Sequence, residues 1–258
     1  MKRTAVLLFF TLILMGSYTP LDRYEYKVKT IVIDAGHGGK DPGCMGNSAK
    51  EKDIALDIAL KLGELIQHNI PDVKVVYTRK DDNFVELHER AGIANRHNAD
   101  LFISIHVNSG PVGQFGTETY CMGLHKTESN LAVAQRENSS ILMEKDKDAH
   151  YGSFDPTSPQ SYIMFSLYQS ATLNNSMALA SKVESEFQTT LNRKSRGVKQ
   201  AGFLVLWKTT MPSILIETGF LTDTTDSNIL TSETERMNTA WGIYTAVEAY
   251  KLDLEDAE

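Results

Sequence analysis

The stretch Thr30-Ile31-Val32-Ile33-Asp34-Ala35-Gly36-His37-Gly38-Gly39 decides how the rest of the chain is read. Its β-branched run favours a buried pleated surface, while the glycines around His37 let the backbone turn sharply and leave the imidazole uncrowded. A strand thus delivers a histidine into a glycine loop; a plain structural turn is the alternative, which this short motif alone does not exclude. A second apolar run, Leu101-Phe102-Ile103-Ser104-Ile105, also ends on a histidine, His106. In an open α/β sheet the carboxyl ends of parallel strands share one rim where ligands bind, so His37 and His106 are expected to meet there. Glu51, just ahead of a helical pattern opening near Asp53, offers a third group. Two imidazoles and one carboxylate suit zinc and leave one tetrahedral position for water, the open arrangement of a catalytic site. A late strand, Ser213 to Ile216, ends in Glu217 and brings another carboxylate to the rim. These residues by themselves support a zinc hydrolase of a polar amide or ester.

Four segments, in this order and spacing, resemble the zinc-dependent N-acetylmuramoyl-L-alanine amidases of the periplasmic cell-division type: Ile33-Asp34-Ala35-Gly36-His37-Gly38-Gly39, Glu51-Lys52-Asp53, Ser104-Ile105-His106-Val107-Asn108 and Ile216-Glu217-Thr218-Gly219-Phe220. The resemblance runs from Lys29 to about Tyr250. It implies that His37, Glu51 and His106 hold one zinc ion per chain and that Glu217 is the catalytic carboxylate. It implies a peptidoglycan substrate, cut at the amide between the lactyl group of N-acetylmuramic acid and L-alanine of the stem peptide, during wall remodelling and daughter-cell separation. An activator protein at the division site is the implied partner. Such amidases are similar to one another in carrying an insertion whose helix can cover the zinc site and donate a carboxylate; here Glu137 and Glu144 are the candidates, within an insertion expected around 124–172. Arg79, Asp82 and Arg90 also resemble family positions, but read as a charged loop held by ion pairs. The alternative function is a catalytically silent peptidoglycan-binding or regulatory module on the same fold, against which the intact Glu217 weighs.

Lys2 and Arg3 precede an apolar run from Ala5 to Met15 and small or polar residues from Gly16 to Thr19, the pattern of a signal peptide over 1–19. The run is short of the roughly 20 apolar residues of a spanning helix, so a periplasmic protein with no membrane span after cleavage is expected. No clean cleavage site marks the end of the leader, and an uncut N-terminal tether is the alternative. Loss of Lys2 and Arg3 would take the formal charge from −7 to −9, which argues against a nucleic-acid partner. Cys44 and Cys121 leave open a disulfide or two free thiols, and Cys44, in the loop after His37, also leaves open a thiolate ligand.

The remaining length fits one domain, a catalytic unit over 29–252, and the alternation of patterns predicts an α/β fold: a single domain with a twisted, mostly parallel sheet of about six strands flanked by helices on both faces. Asp53 is the expected N-cap of a helix burying Ile54, Ile58, Leu62 and Leu65. Val73 to Tyr77 reads as a strand, Glu86 to Asn98 as a helix and Gly116 to Met122 as a strand. Leu131, Ala134, Asn138, Ile141 and Leu142 suggest an imperfect helix, and the polar stretch Lys145 to Ser161 a long irregular loop controlling access to the site. A helix through Leu173 and Leu191, a strand over Phe203 to Leu206, and a final helix turning Met237, Trp241, Tyr244 and Val247 to the core complete the pattern.

Two other motifs fail in detail. A phosphate-cradling glycine loop would need glycine in place of Asp34 and Ser or Thr in place of Asp41. His88-Glu89 opens a two-histidine helical zinc motif, but Gly92 stands where the second histidine belongs.

Overall fold

The computed structural model describes residues 27–46, 49–163 and 172–256; the leader expected over 1–19 lies outside them, as does part of the insertion. Among the described residues a first strand β1 (Thr30–Ala35) leads through a hairpin of β2 (Met45–Gly46) and β3 (Ala49–Lys50) into α1 (Glu51–Asn69). Next come β4 (Lys74–Tyr77), α2 (Leu87–Arg96), β5 (Leu101–Asn108) and β6 (Thr117–Met122). The insertion holds α3 (Glu128–Asn138), a 3-10 turn over Ser139–Met143, the short α4 (Lys147–Tyr151) and a 3-10 turn over Pro159–Tyr162. Then α5 (Leu173–Thr189), β7 (Ser195–Ala201), α6 (Leu204–Trp207), β8 (Ser213–Phe220), α7 (Thr224–Thr231) and α8 (Glu233–Asp256) follow.

The six-stranded sheet runs β4-β1-β5-β8-β6-β7. β4, β1, β5 and β8 pair in parallel; β6 runs antiparallel to β8 and parallel to β7, so the expected mostly parallel sheet is present. Period-two alternation assigns each strand's side chains to two cores. Ile31, Ile33, Leu101, Ile103, Ile105, Ile214 and Ile216 face α1, α5 and α8, whereas Val32, Phe102 and Leu215 face α2, the insertion and α6. Both faces are covered, which is why β1, β5 and β8 are continuous apolar runs. A one-residue slip would exchange the faces of every apolar side chain, each worth about 1.5 to 3 kcal/mol of burial, and would move His37 and His106 out of register.

Several expectations shift. Phe203–Leu206 is not a strand: α6 occupies 204–207, and the strand is β7, whose sequence Ser-Arg-Gly-Val-Lys-Gln-Ala lacks an apolar run because it is a half-exposed edge. A short buried apolar run does not distinguish strand from helix, and here the run belongs to a helical turn. Asp53 is no N-cap, since α1 starts at Glu51 with Lys50 as its uncapped boundary. In α8 the buried stripe is Ala240, Ile243, Tyr244, Val247 and Tyr250, leaving Met237 and Trp241 half exposed, Trp241 against the Tyr244 ring. The stretch Lys145 to Ser161 contains α4 and part of a 3-10 turn, tied down by Tyr151, Phe154 and Tyr162 in the second core.

Candidate metal centre and catalytic carboxylate

The loop after β1 is shaped by the approach of its ligands. His37 takes φ 58°, a left-handed conformation unusual for a side chain with a Cβ. Arg90, almost fully buried, holds that loop by donating to Asp34, to the Ala35 carbonyl and to the His37 carbonyl at 2.8 Å each. Arg79 donates to the carbonyls of Ala35, Gly36 and Lys52 at 2.9, 2.6 and 2.8 Å. Thus Arg79 and Arg90 are interior braces; the expected ion pairs are present at Arg90 with Asp34, 2.8 Å, and at Asp82 with Lys52, 2.6 Å, while Arg79 bonds to backbone carbonyls. Gly36 is required for space, because a Cβ there would lie 2.5 Å from His106 Nε2. Gly43, with φ 64°, would place a Cβ 2.6 Å from Glu51 Oε2.

His37, Glu51, His106 and Glu137 converge, all buried. Glu51 Oε1 lies 3.1 Å from His37 Nε2 and 3.0 Å from His106 Nδ1; Glu137 Oε2 lies 3.0 Å from each of the same nitrogens. The three sequence-predicted ligands are therefore together, with Glu137 as a fourth group that the insertion carries in on α3. Among the described residues His37 Nε2 and Glu137 Oε2 are buried without a hydrogen-bond partner despite their closeness. Two lone-pair donors facing each other this way fit a metal ion, and the His2Glu2 set suits a tetrahedral divalent ion such as zinc. Asp41 Oδ2 accepts from His37 Nδ1 at 2.8 Å, which leaves Nε2 as the nitrogen able to take a metal. Burial opposes charge on both rings, but Glu51 at His37 and Glu137 at His106 outweigh it, holding His37 well above the usual imidazole range and His106 at about 9. The same anionic field attracts a metal cation. A cleft of about 370 Å³, lined by His37, Glu51, Glu137 and Ser140 among others, opens onto the cluster.

Glu217 is fully buried and stands at the register position opposite His106 on β5 and Glu118 on β6. Among the described residues neither of its carboxylate oxygens has a hydrogen-bond partner, and Arg136 Nη2 lies 3.5 Å from Oε1. Burial pushes the Glu217 carboxyl up and Glu137 pushes it further, outweighing Arg136, so the group sits well above the ordinary carboxylate range. A buried carboxyl whose surroundings favour the protonated form is suited to holding a proton, as general acid and base work needs.

The second insertion candidate, Glu144, sits elsewhere: it accepts from the Leu87 amide at 2.6 Å and from Tyr151 Oη at 2.8 Å. Both cysteines are free thiols. Cys44 donates to the Val107 carbonyl at 3.1 Å and is not one of the four converging groups. Asp41 and Arg136 escaped the sequence reading. An acid four residues after a ligand histidine was the available signal for Asp41; nothing local marked Arg136.

The N-acetylmuramoyl-L-alanine amidase family (Amidase_3) matches this chain over residues 31–249. The chain belongs to that family. The amidase is 31% identical to N-acetylmuramoyl-L-alanine amidase AmiA of Escherichia coli strain K12 over 227 residues, covering 86% of this chain and 76% of that one. Among solved structures it resembles the N-acetylmuramoyl-L-alanine amidase of Clostridium difficile 630, with TM-score 0.65, 28% identity and coverage of 88% and 98%. It also resembles the CwlD amidase of Clostridioides difficile, solved in complex with the GerS lipoprotein, with TM-score 0.63, 28% identity and coverage of 86% and 98%. With that membership its activity is that of an N-acetylmuramoyl-L-alanine amidase.

Proposed function

We propose that this amidase is a zinc enzyme of the exported wall compartment, cutting peptidoglycan at the bond between the muramic lactyl group and L-alanine, and that it is held closed by its own insertion. The observation that carries this reading is the convergence of Glu137 Oε2 on the same two histidine nitrogens that face Glu51. His37, Glu51 and His106 would hold the ion, and a zinc ion in that place supplies Lewis-acid polarisation of the scissile carbonyl and a water activated near neutral pH. Asp41 keeps the His37 ring turned toward the site. Glu217 accepts the proton given up by the attacking water and returns it to the L-alanine nitrogen, because an amine departs far more easily than an amide anion.

Three ligands leave the position for water open, whereas Glu137 makes a fourth and fills it, the composition of a closed site. Beside it Arg136 pairs with Glu137 at 2.9 Å and faces Glu217, so adjacent residues of α3 cover both the metal position and the catalytic carboxylate. Ser140 fastens the lid to Asp41 at 2.6 Å, and Arg136 donates to Asn108 Oδ1 at 2.9 Å. A protein that withdraws α3 would be the activator; the GerS complex of a relative supports a protein partner. A role at division and a cleaved leader over 1–19 complete the proposal, and no helix of the described residues is long and apolar enough to cross a membrane. Metal analysis tests the centre: His37→Ala and His106→Ala lose the site's zinc and activity together while circular dichroism stays native. Full zinc occupancy in His106→Ala would remove that residue from the site.

A further inference from the structure

A second convergence of ligand groups lies where the insertion meets the body, away from the amidase centre. Glu86 and His88, at the start of α2, and Glu144, just after the 3-10 turn of the insertion, bring one ligand atom each to within 4.8 Å of one another. The two carboxylates are used in the same divided way. Glu144 Oε1 accepts from the Leu87 amide at 2.6 Å, and Glu86 Oε1 accepts from the Lys145 amide at 3.1 Å, so each side's acid grips the other side's backbone. The remaining oxygens turn toward one atom: His88 Nδ1 is 3.5 Å from Glu144 Oε2 and 3.7 Å from Glu86 Oε2.

Those separations exceed the 2.7 to 2.9 Å or so of a charge-assisted hydrogen bond. They lie close to the roughly 3.3 to 3.5 Å that separates ligand atoms around a tetrahedral zinc with bonds near 2.0 to 2.2 Å. The ring of His88 is fixed for the task by stacking on His150, centroids 3.5 Å apart and planes within 13°. Tyr151 Oη, 2.8 Å from Glu144 Oε2 and accepting from the His88 amide at 2.8 Å, orients the buried acid as an outer partner orients a ligand. Among the described residues the ion pairs of both acids are to His88 alone, so two carboxylates share one imidazole. The Glu144 side chain is out of solvent, while Glu86 and His88 keep 28% and 20% of their side chains exposed, which leaves a path for an ion.

We propose that Glu86, His88 and Glu144 form a second site for a divalent transition ion, with zinc as the ion the His-Glu-Glu set suits and water completing the shell. Imidazole among the ligands favours zinc over calcium or magnesium. Because Glu86 and His88 belong to the body and Glu144 to the insertion, an ion here clips the lid's distal end to α2, seven residues beyond Glu137. That consequence rests on the closed-lid reading; the site itself does not.

The test is zinc stoichiometry, independent of activity. Purified full chain and variants are stripped with a chelator, dialysed against micromolar free zinc and measured by mass spectrometry of the metal. Wild type is expected to hold two zinc ions per chain, His88→Ala one, and His37→Ala one. One ion in wild type, kept in His88→Ala and lost in His37→Ala, would overturn the second site and leave the amidase centre standing. One ion lost in His88→Ala but kept in His37→Ala would support the second site and sink the centre. Should His88→Ala fail to fold, Glu86→Gln decides, since it retains the oxygen that grips Lys145: one ion where wild type holds two supports the site, and the same number as wild type overturns it.

Discussion

Replacing Glu137 by alanine should switch the enzyme on without a partner. The carboxylate is 4% exposed and makes two contacts at 3.0 Å with the ligand nitrogens and one at 2.9 Å with Arg136. Counting the carboxylate's hold on the bound ion as equal to two charge-assisted hydrogen bonds of about 1.5 kcal/mol each gives roughly 3 kcal/mol favouring the closed state, or a factor of about 10² in the open population. The rest of the lid stays fastened through Ser140 to Asp41 and Glu144 to Leu87, so the fold should persist while the fourth ligand position becomes free. A mostly closed enzyme pays for opening at each encounter with substrate, so the gain should show in kcat/KM, about 10²-fold. The assay is release of label from dye-coupled peptidoglycan sacculi by purified protein alone. One complication is specific: freed of Glu137, Arg136 could pair more closely with Glu217, 3.5 Å away. The double variant Glu137→Ala, Arg136→Ala removes it and should be at least as active. Rates within twofold of wild type in both variants, with zinc bound and the fold intact, would refute the plug.

Asp34 anchors the His37 loop, buried and bonded to Arg90, Thr78 and Ser104 at 2.8, 2.6 and 2.6 Å. Burial raises its pKa, but Arg90 and the two hydroxyls outweigh this and hold the folded value below 3.8. A depressed carboxylate stabilises the fold fully above its unfolded pKa and loses that contribution as pH falls through the folded value. Asp34→Asn should therefore cost about 3 to 5 kcal/mol at neutral pH, with the gap narrowing below about pH 4, as read by denaturant titration; a gap unchanged into acid would contradict the pairing. Asp41→Ala loses the partner of His37 and the anchor of Ser140, so zinc affinity should fall about 10- to 100-fold while basal turnover at saturating zinc rises; unchanged affinity in a competition titration would remove Asp41 from support of the site.

The sheet was legible where burial is two-sided. β1, β5 and β8 are unbroken apolar runs because both faces are covered, and the histidine or acid at the end of each marks the rim, so His37, His106 and Glu217 could be placed from sequence. β7 was not legible, because an edge strand with Arg196, Lys199 and Gln200 lacks the pattern that the buried run Phe203 to Leu206 imitates. The lid was half legible. Its two acids were visible as candidates, but α3 has Asn130, Glu137 and Asn138 buried alongside Val133 and Ala134, so polarity could not say which face looks inward. Glu137 and Glu144 differ only in what they meet after folding: imidazoles at the rim, or the amide end of α2. Arg79 and Arg90 misled for a related reason, since an arginine whose donors find buried acceptors, backbone carbonyls for Arg79 and carbonyls with Asp34 for Arg90, can be interior, and sequence does not show those acceptors.

The central claim is that Glu217 moves protons beside a metal it does not hold. It is best measured by replacing Glu217 with glutamine in the Glu137→Ala background, where the lid no longer masks turnover. Shape and zinc should be retained, and turnover should fall at least about 10²-fold, the lower end of what a general acid and base contributes. The Glu137→Ala parent should release stem peptides with a new amino terminus on L-alanine from glycan strands that stay uncut. Turnover within about tenfold of that parent, with zinc still bound, would contradict the role given to Glu217.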